Sequence, residues 1–143
     1  MEENPMKSTS LLFFSLLLIV SCVGCSRQPD PRANTAKLTI TLSPLGNGGN
    51  GPFGFGTVGL APSPKSGNAN CVLPEGHNPP VVCTEEFTPG TTVTLRVTPT
   101  SSIIESLNGC TKTLCQGCGP GVETCQVVMN GDHAVSVVFN RMR

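Results

Sequence analysis

Four cysteines within sixteen positions, CTKTLCQGCGPGVETC at residues 110–125, constrain this chain more than any other stretch of it. A cluster of that kind serves as a metal knuckle, a dithiol active site or a set of disulfide staples, and each requires a different scaffold. The redox compartment decides among them, and the N-terminus speaks to the compartment.

Residues 11–20, LLFFSLLLIV, form an apolar run preceded by Lys7, the pattern of a signal-peptide h-region. A run of that length is too short to span a bilayer. The acidic opening MEENP suits a signal poorly, whereas a start at Met6 places Lys7 correctly. The run leads straight into IVSC, residues 19–22, which resembles the bacterial lipobox, with Cys22 as the residue to be acylated. Cys25, preceded by Gly24 and followed by Ser26, is the alternative. Cleavage before Cys22 leaves seven other cysteines, an odd number, whereas cleavage before Cys25 leaves six others to pair. An ordinary secretory signal without lipid is the third reading. All three send the chain out of the cytoplasm, where disulfides persist.

The compartment weighs against zinc, because oxidation removes the thiolates a zinc ion needs. So does the spacing: one CxxC is flanked by gaps of four and six residues, whereas structural sites usually pair two separated knuckles. A thioredoxin-like dithiol at CQGC, residues 115–118, needs a helix N-terminus to depress its thiol pKa. Gly117, Gly119, Pro120 and Gly121 forbid that helix. Staples are the expected use.

Removal of residues 1–21 takes Glu2, Glu3 and Lys7 from nine acidic and nine basic residues, leaving seven and eight. A balance so near zero gives no electrostatic footprint for nucleic acid. The chain has no Trp or Tyr, and outside the signal its only Phe are Phe53, Phe55, Phe87 and Phe139. So small a core benefits from cross-links.

Residues 22–36 read as an acylated cysteine and a flexible tether, and residues 37–143 as one domain. In KLTITLS, Leu38, Ile40 and Leu42 alternate with threonines, the period of a half-buried strand. The glycine-rich loop 46–56 leads to a second strand, TVGL. Residues 61–83, with five prolines, predict an irregular surface excursion. Phe87 precedes a Pro89-Gly90 turn, after which Val93, Leu95 and Val97 share one face of a strand. Ile103, Ile104 and Leu107 suggest one more, and the two extended runs around Asn130-Gly131-Asp132 predict a hairpin with Val135, Val137 and Phe139 inward. No segment carries a helical period, so the class is all-β or nearly so.

The order GTV (56–58), Cys71, Cys83, FTPGTTVTLRVTP (87–99), NGC (108–110), CQVVM (125–129), Asp132 and VSVVF (135–139) resembles the divergent internalin-type B-repeat, or bacterial repeat domain. The match spans roughly Lys37 to Asn140. It implies a small extracytoplasmic module with a β-grasp-like sheet, and a binding or structural role without catalysis. It also implies Cys71 paired with Cys83 and Cys110 with Cys125, leaving Cys115 to pair with Cys118. The competing connectivity joins Cys110 to Cys115 and Cys118 to Cys125. Ile104 and Leu107 stand where the family has an aromatic and a Trp, and the loops 59–82 and 111–124 are longer than usual.

No catalytic set emerges from the remaining motifs. GFGTVG, residues 54–59, matches G-x-G-x-x-G but follows a loop, and Pro62 and Pro64 block the helix a pyrophosphate would need. No Walker lysine follows. His77, near Glu75, and His133 have no recognisable nucleophile beside them and read as solvated loop residues. Phe53 and Phe55 either pack into the core, the favoured reading given so few aromatics, or serve recognition from their loop.

The expectation is a lipid-anchored envelope protein whose β-grasp-like or sandwich-like domain, with long Gly/Pro-rich loops, is disulfide-stapled and binds or supports without catalysis. No cofactor or metal is expected. The partners are the membrane, through the lipid, and an envelope protein or polysaccharide, with the loops 46–56, 61–82 and 111–124 as contact surfaces. With no Asp after either candidate cysteine, the outer membrane is favoured, on its periplasmic or surface side. A thiol-active envelope protein using CQGC is the alternative.

Overall fold

The computed structural model describes residues 35–45 and 53–142, which belong to one compact unit. The expected signal peptide, Cys22, Cys25, the tether to residue 34, residues 46–52 of the glycine-rich loop and Arg143 lie outside the described residues.

Nine strands and no helix appear among those residues: β1 (Ala36–Leu45), β2 (Phe55–Ala61), β3 (Asn70–Leu73), β4 (Val81–Phe87), β5 (Thr92–Thr100), β6 (Ser102–Asn108), β7 (Thr111–Thr113), β8 (Glu123–Val128) and β9 (His133–Arg141). The domain is all-β, as its period-two patterning requires. The strands form a four-stranded sheet, in the order β4-β1-β9-β6, and a five-stranded sheet, in the order β3-β2-β5-β8-β7. Pairing is antiparallel except between β1 and β9, which run parallel.

Each sheet buries one face, and the two buried faces share a single core. Leu38, Ile40 and Leu42 of β1 and Val135, Val137 and Phe139 of β9 supply one side. Val58 and Leu60 of β2, Val93, Leu95 and Val97 of β5 and Val127 of β8 supply the other. The arrangement is the sandwich-like form of the expected fold.

Two sequence expectations change. Residues 61–83 are not wholly irregular, because β3 lies within them, with Cys71 and Leu73 buried. Four residues between turn-formers are too short for a periodic signal, and pairing with β2 makes the strand. The runs around Asn130-Gly131-Asp132 do not form a hairpin, since β8 pairs with β5 and β7 while β9 pairs with β1 and β6. The turn carries the chain from one sheet to the other. On the way Met129 N donates to Thr91 O at 2.8 Å, and Lys37 N donates to Asp132 Oδ1 at 2.8 Å, so each end is tied to a different sheet. Inward residues of a hairpin and of a sheet-crossing corner alternate alike, so the pattern could not separate them.

Candidate functional site

The cysteines form three pairs at disulfide distance: Cys71 with Cys83, Cys110 with Cys125 and Cys115 with Cys118, their Cα atoms 6.0, 5.7 and 5.6 Å apart. This is the connectivity the resemblance implied, in place of the competing one. Their placement explains their use. β3 and β4 are edge strands of different sheets, and Cys71–Cys83 clamps the sandwich along that side. Along the other side the chain passes from edge strand β6 to edge strand β7, and Cys110–Cys125 pins that crossing to β8. Cys115–Cys118 closes a small ring in the β7–β8 connection, where both cysteines are half-buried and Leu114 is 98% exposed.

The two histidines stand apart from this ring in the chain. His133, at the start of β9, has Nε2 2.9 Å from Asn130 Oδ1, a contact that braces the corner. His77 lies in the β3–β4 connection, where its backbone N donates to Pro74 O. Among the described residues no group of three or more His, Cys, Asp and Glu is placed to hold a metal ion.

Phe53 and Phe55 are half-buried and stand outside the core. On β2 the inward position is Gly56, because a Cβ there would come within 2.6 Å of Phe139 Cε1. The ring of Phe139 fills that space, and Phe55, opposite Thr100, takes the outer face. The corner beside it is fixed by buried Ser102, whose hydroxyl donates to Thr100 O at 2.9 Å and accepts from Phe55 N at 2.8 Å. Gly56 thus makes room for the Phe139 ring, and Gly54 for the Phe139–Asn140 backbone.

The outer face of the five-stranded sheet carries a feature that sequence reasoning missed. One row of paired residues crosses all five strands: Asn70, Gly59, Arg96, Thr124 and Thr113. The next row, Ala61, Thr94, Gln126 and Thr111, is also uncharged. Hydroxyls dominate, and several are already ordered: Thr113 Oγ1 donates to Thr124 Oγ1 at 3.0 Å, and Gln126 Nε2 donates to Thr94 Oγ1 at 3.3 Å. Arg96 is exposed at the centre and has no hydrogen-bond or ion-pair partner among the described residues. Gly59 leaves the sheet bare beside it, opening a shallow cleft of about 340 Å³ floored by Gly59, Leu60, Ala61 and Ala69 and edged by Asn70, Thr94, Arg96 and Thr124. The signal was available as Thr94-x-Arg96 on a strand, but only the register brings Asn70 and Gly59 to it.

No protein-family model, curated protein or solved structure matches this chain. What fold and site define is a class: a small all-β sandwich stapled by disulfides along both sides, with a shallow, largely apolar cleft bearing one charge, Arg96, on one outer sheet.

Proposed function

We propose that this protein is a non-catalytic binding module held at a bacterial cell envelope by a lipid on Cys22, or on Cys25, and that it is a divergent relative of the internalin-type B-repeats. The observation that carries the binding role is the cleft beside Arg96, where a cation with no partner among the described residues stands next to the Thr94 hydroxyl and the Asn70 amide on a sheet braced by cross-links. A cation kept without a carboxylate partner is suited to recognition more than to stability. The anchor is supported by the apolar run at residues 11–20 ending in IVSC, and the tether by the proline-containing, aperiodic stretch at 26–36. Kinship with the repeat is supported by the order of its motifs and by the Cys71–Cys83 and Cys110–Cys125 pairs.

Expression of the full chain in a bacterium with labelled palmitate, followed by membrane fractionation, tests the anchor. Label lost in Cys22→Ser assigns Cys22, and label lost only in Cys25→Ser assigns Cys25. An unlabelled wild-type chain in the soluble fraction would overturn the anchor.

One observation favours the thiol-active alternative: Cys115 and Cys118 are partly accessible beside the exposed Leu114. Mild reductant followed by alkylation separates the two readings. Selective modification of Cys115 and Cys118, with catalysis of disulfide exchange, supports the alternative, whereas three resistant bridges leave the binding role in place.

A further inference from the structure

We infer that the cleft on the five-stranded sheet binds an acidic saccharide, a sugar chain bearing a carboxylate or phosphate, with Arg96 on its oxyanion and the Thr94 hydroxyl and Asn70 amide on its hydroxyl groups. The inference rests on the binding role proposed above and names its ligand class.

The charge comes first. The rows Asn70–Gly59–Arg96–Thr124–Thr113, Ala61–Thr94–Gln126–Thr111 and Val72–Thr57–Thr98 contain one charged residue among them, Arg96. A guanidinium presents a planar fork that matches carboxylate and phosphate oxygens two at a time, and this one has no claimant among the described residues. The ligand is therefore anionic at one point.

The neighbours then restrict its chemistry. Thr94 Oγ1 accepts from Gln126, which leaves its own proton to donate outward. Asn70, directly opposite Gly59, offers an amide that donates and accepts. These are groups for a ligand rich in hydroxyls. An extended peptide is disfavoured for a topological reason. β2 and β5, which floor the cleft beneath Arg96, are interior strands whose backbone groups are engaged by β3, β5 and β8, so they offer no edge for strand addition there. Recognition here must run through side chains.

Gly59 supplies the space. A Cβ at this position would lie 3.3 Å from Asn70 Oδ1, so a larger side chain fills the cleft from below and displaces the amide. Its backbone is extended and not left-handed, which lets a β-branched residue be placed there within the strand.

The test is calorimetric titration of the full chain, purified in mild detergent, with tetragalacturonate, its methyl ester and a phosphorylated maltotetraose. Because the chain is in detergent, the result does not depend on whether Cys22 carries lipid. The expected result is binding of at least one acidic probe, weakened at least tenfold by esterification, by R96Q and by G59V, with both variants keeping the wild-type melting profile. The tighter of the carboxylated and phosphorylated probes identifies the source of the oxyanion. The inference is overturned if neither acidic probe binds, if R96Q binds within twofold of wild type, or if a polyglutamate peptide binds as tightly as the acidic saccharides. In each of those cases the envelope anchor still stands or falls on the palmitate experiment alone. Should G59V lose its melting transition, Gly59→Ala takes its place, with weaker binding expected and wild-type affinity counting against the cleft.

Discussion

Phe139 is the largest ring at the centre of the four-stranded sheet's inner face, fully buried, and its space exists because residue 56 has no side chain. Gly56→Val would force the ring out of place, and thermal unfolding is expected to show a loss of about 1–3 kcal/mol. Phe139→Ala leaves a cavity instead, with an expected loss of about 3–5 kcal/mol. A second residue-scale contact lies under the β2–β3 connection. Glu85 is 4% exposed, its Oε2 has no hydrogen-bond partner, and its carboxylate lies against Gly67, whose φ is +99°. A methyl at 67 would collide with that carboxylate and sit in a left-handed conformation. Gly67→Ala is expected to cost about 1–3 kcal/mol, read from the same melting curve. Among the described residues Glu85 is the one buried charged side chain, and no role for it follows from its neighbours.

At the scale of elements, a sandwich is weakest where its sheets end, and here the edges are covalently managed. β3 and β4 are linked by Cys71–Cys83, and residues 65 and 66 add a further cover to β4. Lys65 N donates to Glu86 O at 2.7 Å, and Ser66 Oγ donates to Glu86 Oε2 at 3.2 Å. On the other side β7 is three residues long and held by the Lys112–Glu123 ion pair at 2.9 Å and by Cys110–Cys125. Closing loops with sequence separations of 12 and 15 residues, each of these two bridges is worth about 3 kcal/mol. The pair of substitutions Cys71→Ser and Cys83→Ser is expected to remove that amount in denaturant unfolding. The pair Cys115→Ser and Cys118→Ser, closing a separation of 3 residues, should cost less, about 2 kcal/mol or under.

Over the whole molecule, the first and last strands lie side by side at the middle of the four-stranded sheet, from Leu38 opposite His133 to Leu45 opposite Asn140. Removing β9 therefore strips β1 and β6 of a partner and the core of Val135, Val137 and Phe139 together. A chain ending at Gly131 is expected to lose its cooperative unfolding transition, which circular dichroism would show directly. The outer face of this sheet is lined at its centre by Thr39, Thr41, Ser43, Thr84 and Ser136, with charged residues at Lys37, Glu86 and Glu105. Non-reducing mass spectrometry checks the whole set of staples at once. The described unit should be about six mass units lighter than its reduced form and inert to alkylation.

The sequence by itself determined the class of this fold. Alternation in KLTITLS, TVTLRV and AVSVVF reads as strands, and no segment from Lys37 onward carries a helical period. The spacing of the cysteines also led to the expectation that they serve as staples, and the structure brings six of them together in three pairs at disulfide distance. The tertiary structure decided what alternation cannot carry, namely which sheet each strand joins. A period of two records that a face is buried and not against which partner, so the predicted hairpin at Asn130 became a crossing between sheets. For the same reason the cleft was invisible in the chain: Asn70, Gly59, Arg96 and Thr124 are scattered along it and become neighbours only through register.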